Sequence, residues 1–374
     1  MNPFQHGVIV SGGDFCPRPD LMNELREHIR SRQNCVIRGG RRMGKTSGVL
    51  EAIRAEKGVS WMLVNCWGKS SLTSLAEAIS EAFLASQSRR GLSLKTILSG
   101  FAQMRPQATI DPQTGHPTFS VDLASSREFT PRSLERVLEP IGEEGKKRPL
   151  AVVLDEFQAL LQLAEHREVM ATLRGAIQLQ PAVTYFYLGS IRNQMDAIFN
   201  DPKQPFFKSA ASVSVGPIPR ETYAIYLRKK FATGRRDIED EAVERVFELA
   251  NDITGDVQQL CSQIWNTTDA GDVIDVSAVA RGLERIHQAE RESNSRIIDL
   301  LTPGQVRVLL GLAKTRGEQP TSKSFLKISG ISQPSSVTKS LMRLENEGLV
   351  FRDSKGYRFF SPFFRTWLLS EGPR

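Results

Sequence analysis

Residues 39 to 47 read Gly-Gly-Arg-Arg-Met-Gly-Lys-Thr-Ser, and Gly39 to Thr46 fit the pattern G-x-x-x-x-G-K-[ST]. These residue types suit one task. Successive backbone N–H groups must close on a phosphate, and a Cβ at Gly39 or Gly44 would stand in the way. Gly40, Arg41, Arg42 and Met43 make the loop between those two glycines, and Ser47 follows in the next helix. Lys45 brings a full charge to the β- and γ-phosphates, and Thr46 offers its hydroxyl to Mg²⁺. The helix beginning there aims its positive end at the same anion. The chemistry is that of a nucleotide held with magnesium. Arg41 and Arg42 admit three readings: phosphate contact, contact with a neighbouring subunit, or solvation.

Such a cradle works with acids at the end of another strand. The run Ala-Val-Val-Leu ends in Asp155 and Glu156. Asp155 would hold the Mg²⁺ through water, and Glu156 would polarise the attacking water. A further apolar run, Thr-Tyr-Phe-Tyr-Leu-Gly, ends in Ser190, with Asn193 close behind. In P-loop ATPases with an additional strand, a polar residue here senses the γ-phosphate. The competing reading of Ser190 is a helix N-cap.

The elements that must position these groups follow from periodicity. Apolar runs at 34–40, 60–66, 149–157, 182–190 and 211–219 read as strands. Amphipathic stretches at 20–31, 44–58, 71–87, 133–147 and 168–180 read as helices between them. The alternation predicts an α/β domain over 1–218, a P-loop NTPase parallel sheet with helices on both faces. Residues 104–133 break the rhythm and read as a hairpin inserted around a Pro/Gly turn. From Arg220 to Arg296 the β signal vanishes, and four helices make an all-α domain over 219–298.

The last segment, 299–374, carries the charge. Residues 303 to 374 hold 12 Lys/Arg against 5 Asp/Glu, so the net +7 of the whole chain lies there, while the other 302 residues are neutral with 37 of each sign. Three helices and two short strands fit a winged helix-turn-helix. In the third helix Val337, Leu341 and Leu344 keep core spacing. Ser335, Ser336, Lys339, Ser340 and Arg343 face outward, where major-groove contacts are made. Lys355 stands at the wing tip between Arg352 and Arg358, placed for phosphate contact. Duplex DNA is the expected partner; the competing reading is a protein-docking or dimerisation module, which winged helices also form.

Bulk composition narrows the class. With 40 % hydrophobic and 24 % charged residues the chain of 374 is that of an ordinary globular protein. No apolar run reaches the roughly 20 residues of a membrane span, and the first residues lack the charged-then-apolar order of a secretory signal. The four cysteines, Cys16, Cys35, Cys66 and Cys261, are scattered, which reads as reduced thiols in a cytoplasmic protein without a zinc site.

The chain resembles the archaeal-type ATPase family, AAA+-like proteins related to origin-recognition ATPases and STAND-type signalling NTPases. The resemblance rests on GGRRMGKTS, VVLDEFQ, YLGSIRNQM followed by IFNDPKQPFF, ITGDVQQL and SPFFRTWL. It implies ATP on Lys45 and Thr46, metal handling by Asp155, water activation by Glu156, a helical lid and a C-terminal winged helix. Two departures stand out. Where the family often has an arginine as a candidate γ-phosphate finger, this chain offers Lys208, which lacks the guanidinium fork. Where the lid tends to TGG-x-P, this chain reads Thr254-Gly255-Asp256-Val257. Two functions remain: an ATP-hydrolysing, DNA-associated protein, or a STAND-like switch that docks a partner protein and turns over little.

Overall fold

The computed structural model describes residues 1–88, 106–110, 117–121, 130, 133–353 and 356–372. It divides into two compact units, Ile9–Gly216 and Met1–Val8 together with Pro217–Arg374.

The first unit is built on five parallel strands: β1 (Cys35–Arg38), β2 (Ser60–Asn65), β5 (Leu150–Asp155), β6 (Val183–Gly189) and β7 (Ala211–Ser214). Their order is β2-β5-β6-β1-β7. Thus β6 is inserted between the strand that precedes the glycine-rich loop and the strand that ends in the acids. The period of two divides each strand between two cores. On β5, Leu150, Val152 and Leu154 face one side, with Val183, Tyr185 and Tyr187 of β6. Ala151 and Val153 face the other, with Phe186 and Leu188. Helices α1 (Pro19–Ser31) and α2 (Lys45–Ala55) cover the second side through Leu25, Ile29, Val49 and Ile53. Helices α3 (Leu72–Ser88), α4 (Ser133–Lys147) and α5 (His166–Gln178) cover the first through Ile79, Leu138 and Leu173. This is the α/β arrangement the alternation predicts. The strands of the inserted hairpin are present, β3 (Pro106–Ile110) antiparallel to β4 (Pro117–Val121); the turn joining them lies outside the described residues.

Two elements were not anticipated. A 3₁₀ turn, Phe157–Gln162, follows the acids, and a short helix, α6 (Arg192–Phe199), follows β6. Aromatic packing joins them. Phe157 lies 5.0 Å from Tyr187, 5.9 Å from Phe199 and 5.4 Å from Phe206, ring centre to ring centre.

The second unit begins with four helices, α7 (Arg220–Ala232), α8 (Asp240–Leu249), α9 (Thr254–Asn266) and α10 (Val276–Asp299). The expectation of no β structure is corrected in one detail. Asp237–Ile238 (β8) pairs in parallel with Val273–Ile274 (β9), a two-residue contact too short to leave an alternating pattern. The chain's first residues belong to this unit: Phe4 packs 4.5 Å from Phe231, and Asn2 Nδ2 donates to Ser262 O at 3.1 Å.

The unit continues with α11 (Pro303–Thr315), α12 (Lys323–Ser329), α13 (Pro334–Asn346), the antiparallel strands β10 (Val350–Asp353) and β11 (Gly356–Phe359), and α14 (Pro362–Ser370). Val337, Leu341 and Leu344 are buried as their spacing predicts, among Leu309, Phe325 and Trp367. Helix α11 starts with a capping box between Thr302 and Gln305.

The aromatic C-terminal segment forms α14, tied to α10 by buried His287, whose Nε2 lies 2.9 Å from Thr366 Oγ1. Burial pushes this imidazole below its ordinary 6.5, against the opposing pull of Glu371, Glu290 and Glu284. The unfolded chain therefore takes up this proton first as pH falls. The stabilising contribution is complete above about 6.5 and is lost progressively below it. The expected result is that His287→Gln flattens the dependence of Tm on pH between about 7 and 5. Differential scanning fluorimetry checks this; unchanged curvature would remove His287 as the cause.

Candidate nucleotide site

The glycine-rich loop lies between β1 and α2, as its chemistry demands. Gly44 is the N-cap of α2, with φ of 80°, a left-handed conformation in which a side chain is strained. Gly39 is constrained differently. A Cβ there would come 2.5 Å from Val215 O, so the close approach of the segment after β7 excludes a side chain, in addition to any ligand. No side chain caps α2, which leaves its first backbone N–H groups to the loop's concave side.

Lys45 is buried, and its Nζ donates to Gly39 O at 3.1 Å and Gly40 O at 2.9 Å. Burial lowers its pKa, opposed by the charges of Glu156 and Asp155. Thr46 Oγ1 donates to Asp155 Oδ2 at 2.7 Å, joining the start of α2 to the end of β5. Burial raises the Asp155 pKa, the Thr46 hydrogen bond lowers it, and the Glu156 charge raises it further. Ser47 is buried with its Oγ accepting from Val10 N at 3.2 Å. Arg41 is exposed, and Arg42 is half-buried with φ of 62°.

Glu156 has φ of 51°, a strained turn held by the packing of Phe157. Its Oε2 accepts two hydrogen bonds, from Ser190 Oγ at 2.8 Å and from Gln158 Nε2. Ser190 is therefore not a helix N-cap; α6 begins at Arg192 with Ile191 in the cap position. Asn193 is exposed, its side-chain oxygen accepting from Gln194 N. Lys208 is not brought into this cluster. Among the described residues its contacts are a backbone hydrogen bond to Phe199 O and its Nζ over the Phe207 ring at 5.3 Å.

Two residues that sequence reasoning passed over shape the site. Arg18, buried, donates from Nη1 to Gly216 O at 3.0 Å and from Nη2 to Met43 O at 2.8 Å, bracing the loop against the end of the sheet. Gln158, also buried, holds Glu156 as described, and a Cβ on Gly189 would come 2.5 Å from its Oε1. Neither has a local sequence signal beyond a polar residue in apolar surroundings.

The four cysteines are buried and unpaired. Burial pushes Cys16, Cys35 and Cys66 up to about 12, so their thiols are inert at neutral pH. No group of three or more His, Cys, Asp or Glu stands ready for a metal among the described residues. Magnesium needs none, being held by one or two oxygen side chains plus phosphate and water. The hydroxyl of Thr46 and the carboxylate of Asp155 fit that donor set.

The outward residues of α13 stand as expected: Ser335, Ser336, Lys339 and Arg343 are exposed and Ser340 is half-buried. Arg343 pairs with Glu347 at 2.6 Å. Lys355 lies outside the described residues. No helix among the described residues is long and apolar enough to cross a membrane.

A family model described as a probable winged helix domain matches residues 293–370. No curated protein matches the chain. Among solved structures, the Walker-type ATPase of Pyrococcus abyssi is similar, at 19 % identity and TM-score 0.67, covering 95 % of this chain and 96 % of that one. The ORC2 protein of Aeropyrum pernix in its ADP form has 13 % identity and TM-score 0.51, covering 98 % and 95 %. The ORC1 protein of the same organism, solved in complex with DNA, has 14 % identity and TM-score 0.50, covering 95 % and 93 %. The chain thus has the fold of these P-loop ATPase structures, a parallel sheet with helices followed by a C-terminal winged helix domain, the architecture its motifs resemble.

Proposed function

We propose that this chain binds ATP with Mg²⁺ and hydrolyses it, and that its nucleotide state governs how a basic winged helix is presented to duplex DNA. The observation that carries the ATPase reading is the 2.7 Å hydrogen bond from Thr46 to Asp155, with Glu156 next in line. It joins a hydroxyl and a carboxylate of the kinds that hold Mg²⁺, with Glu156 beside them, and this supports the reading. ATP supplies the transferable phosphoryl group, and Mg²⁺ neutralises charge on it. The loop from Gly39 to Gly44 and the first N–H groups of α2 bind the phosphates. Lys45 exchanges its carbonyl partners for phosphate oxygens. Thr46 and Asp155 hold the metal, directly or through water. Glu156 accepts a proton from the attacking water, and Ser190 reports on the terminal phosphate. Lys208 receives no role in this scheme, and no arginine finger is assigned.

One observation favours the switch reading. Both Ser190 and Gln158 donate to the same oxygen of Glu156. That oxygen is occupied by both donors and is not free to receive water, which suits slow turnover. In that reading the winged helix docks a protein, and exposed Met342 on α13 would be part of the contact.

The salt dependence of duplex binding separates the two. Replacing Lys339, Arg343 and Lys355 with alanine removes three candidate contacts on the basic module. Each phosphate contact contributes a slope of about −0.9 in a log–log plot, so the variant should bind random-sequence duplex more weakly, with a slope shallower by up to about 3. ATPase activity without DNA should be unaffected. Fluorescence anisotropy across a salt series reads the result. No duplex binding by the parent chain at low salt, or an unchanged slope, would transfer the winged helix to a protein partner.

A further inference from the structure

Arg18 has no part in the nucleotide chemistry described above, yet it is buried beside the glycine-rich loop. An arginine is seldom buried unless its donors are engaged. Its backbone is firmly placed. Arg18 is the N-cap residue of α1, Pro19 follows at the first helical position, and Met22 N donates to Arg18 O at 2.9 Å. Leu25 and Ile29 fix the same helix in the core. The guanidinium is therefore delivered by a rigid element.

Its two terminal nitrogens reach carbonyls far apart in the chain, Gly216 O from Nη1 and Met43 O from Nη2. A planar guanidinium fixes the angle between those donors, which an ammonium does not. The loop is thus attached twice to the segment after β7. At one end Gly39 lies too close to Val215 O for any Cβ, and at the other Met43 is tied to Gly216 through Arg18.

The second attachment decides where an amide points. The Met43–Gly44 peptide is trans, so its carbonyl and its N–H point in opposite directions. With Met43 O drawn to Arg18, Gly44 N–H is turned away from Arg18. That N–H has no acceptor among the described residues, and it stands just before the uncapped N–H groups of α2. Earlier in the loop the carbonyls of Gly39 and Gly40 face Lys45 Nζ. Gly44 has φ of 80°, and a glycine lets its peptide rotate at little cost. Nothing in Gly44 itself holds the amide in one orientation; the hydrogen bond from Arg18 does.

We propose that Arg18 is a positioning residue of the nucleotide site. It holds the Met43–Gly44 peptide so that the N–H is presented to the β-phosphate, which ADP and ATP share, and it touches no nucleotide itself. The ligand rests on the ATP reading above; the hold on the loop does not.

The full chain tests both parts. Arg18→Met removes the fork and keeps the bulk. Calorimetric titration well below Tm should show ADP and ATP weakened by the same factor of about 10, because the amide serves a group that both carry. Turnover at saturating ATP should fall much less than affinity. Arg18→Lys restores one of the two hydrogen bonds and should recover part of the affinity. Ile29→Val truncates the buried face of the same helix, lowers Tm with the loop contacts intact, and should leave both affinities unchanged. In the ligand-free chain, tryptic cleavage after Arg41 and Arg42, followed by mass spectrometry, should be faster in Arg18→Met than in the parent or in Ile29→Val. Unchanged affinity for both nucleotides would overturn the proposal, whatever Tm does. Weakening of ATP alone would overturn it too, by placing Arg18 at the terminal phosphate. If the parent binds neither nucleotide, the ATP reading fails by itself, and the cleavage rate decides whether Arg18 holds the loop.

Discussion

Glu156→Gln keeps ATP affinity within a few-fold of the parent and lowers turnover by about 10²- to 10⁴-fold, the usual contribution of a positioned base. The amide preserves the shape of the side chain, so the turn at Glu156 and the packing of Phe157 have no cause to move. What it loses is basicity. The carboxylate accepts from Ser190 and Gln158 through Oε2, which leaves Oε1 as the oxygen able to take a proton. An amide oxygen can accept those hydrogen bonds, but the amide cannot take the proton. Phosphate release at saturating ATP, paired with a binding titration, reads the two effects separately. A variant turning over at the parent rate would remove Glu156 from the chemistry. A parent chain with no measurable turnover would make the switch reading the better one.

Lys45→Ala weakens ATP binding by about 10- to 150-fold, the equivalent of the roughly 1.5–3 kcal/mol of a hydrogen bond to a charged group. Lys45 is buried and holds its ammonium on the carbonyls of Gly39 and Gly40, inside the loop rather than in solvent. Its desolvation is thus already incurred in the folded chain, and the attraction for phosphate is little screened there. Arg41, on the same loop and near enough to oppose the Lys45 charge, is exposed, so its attraction for phosphate is screened by solvent and should not replace that of Lys45. The fold should survive, because α2 is anchored by Val49, Leu50 and Ile53 rather than by Lys45.

How far the sequence carried this reading depends on the kind of signal. The strands of the sheet announce themselves because both faces are buried, so β5 and β6 are continuous apolar runs. The loop is legible because its glycines and Lys45 serve a geometry that few sequences fit by chance. Other features have no local signature. Arg18 is placed by contacts with Met43 and Gly216, both distant in the chain, and nothing near Arg18 foretells them. Gln158 matters only because β6 brings Ser190 to the same carboxylate. The β8–β9 pair is two residues long, below the length at which alternation can be seen. The α6 helix is short and follows the motif that drew attention to Ser190, which left the N-cap reading open until α6 was seen to start at Arg192.

The most direct test of the central claim is a calorimetric titration of ATP into the intact chain, with and without Mg²⁺, run beside Lys45→Ala. The account predicts saturable binding at one site, tightened by Mg²⁺ through Thr46 and Asp155, and weakened about 10-fold or more in the variant. Equal affinity in parent and variant, or no binding by the parent under either condition, would contradict it.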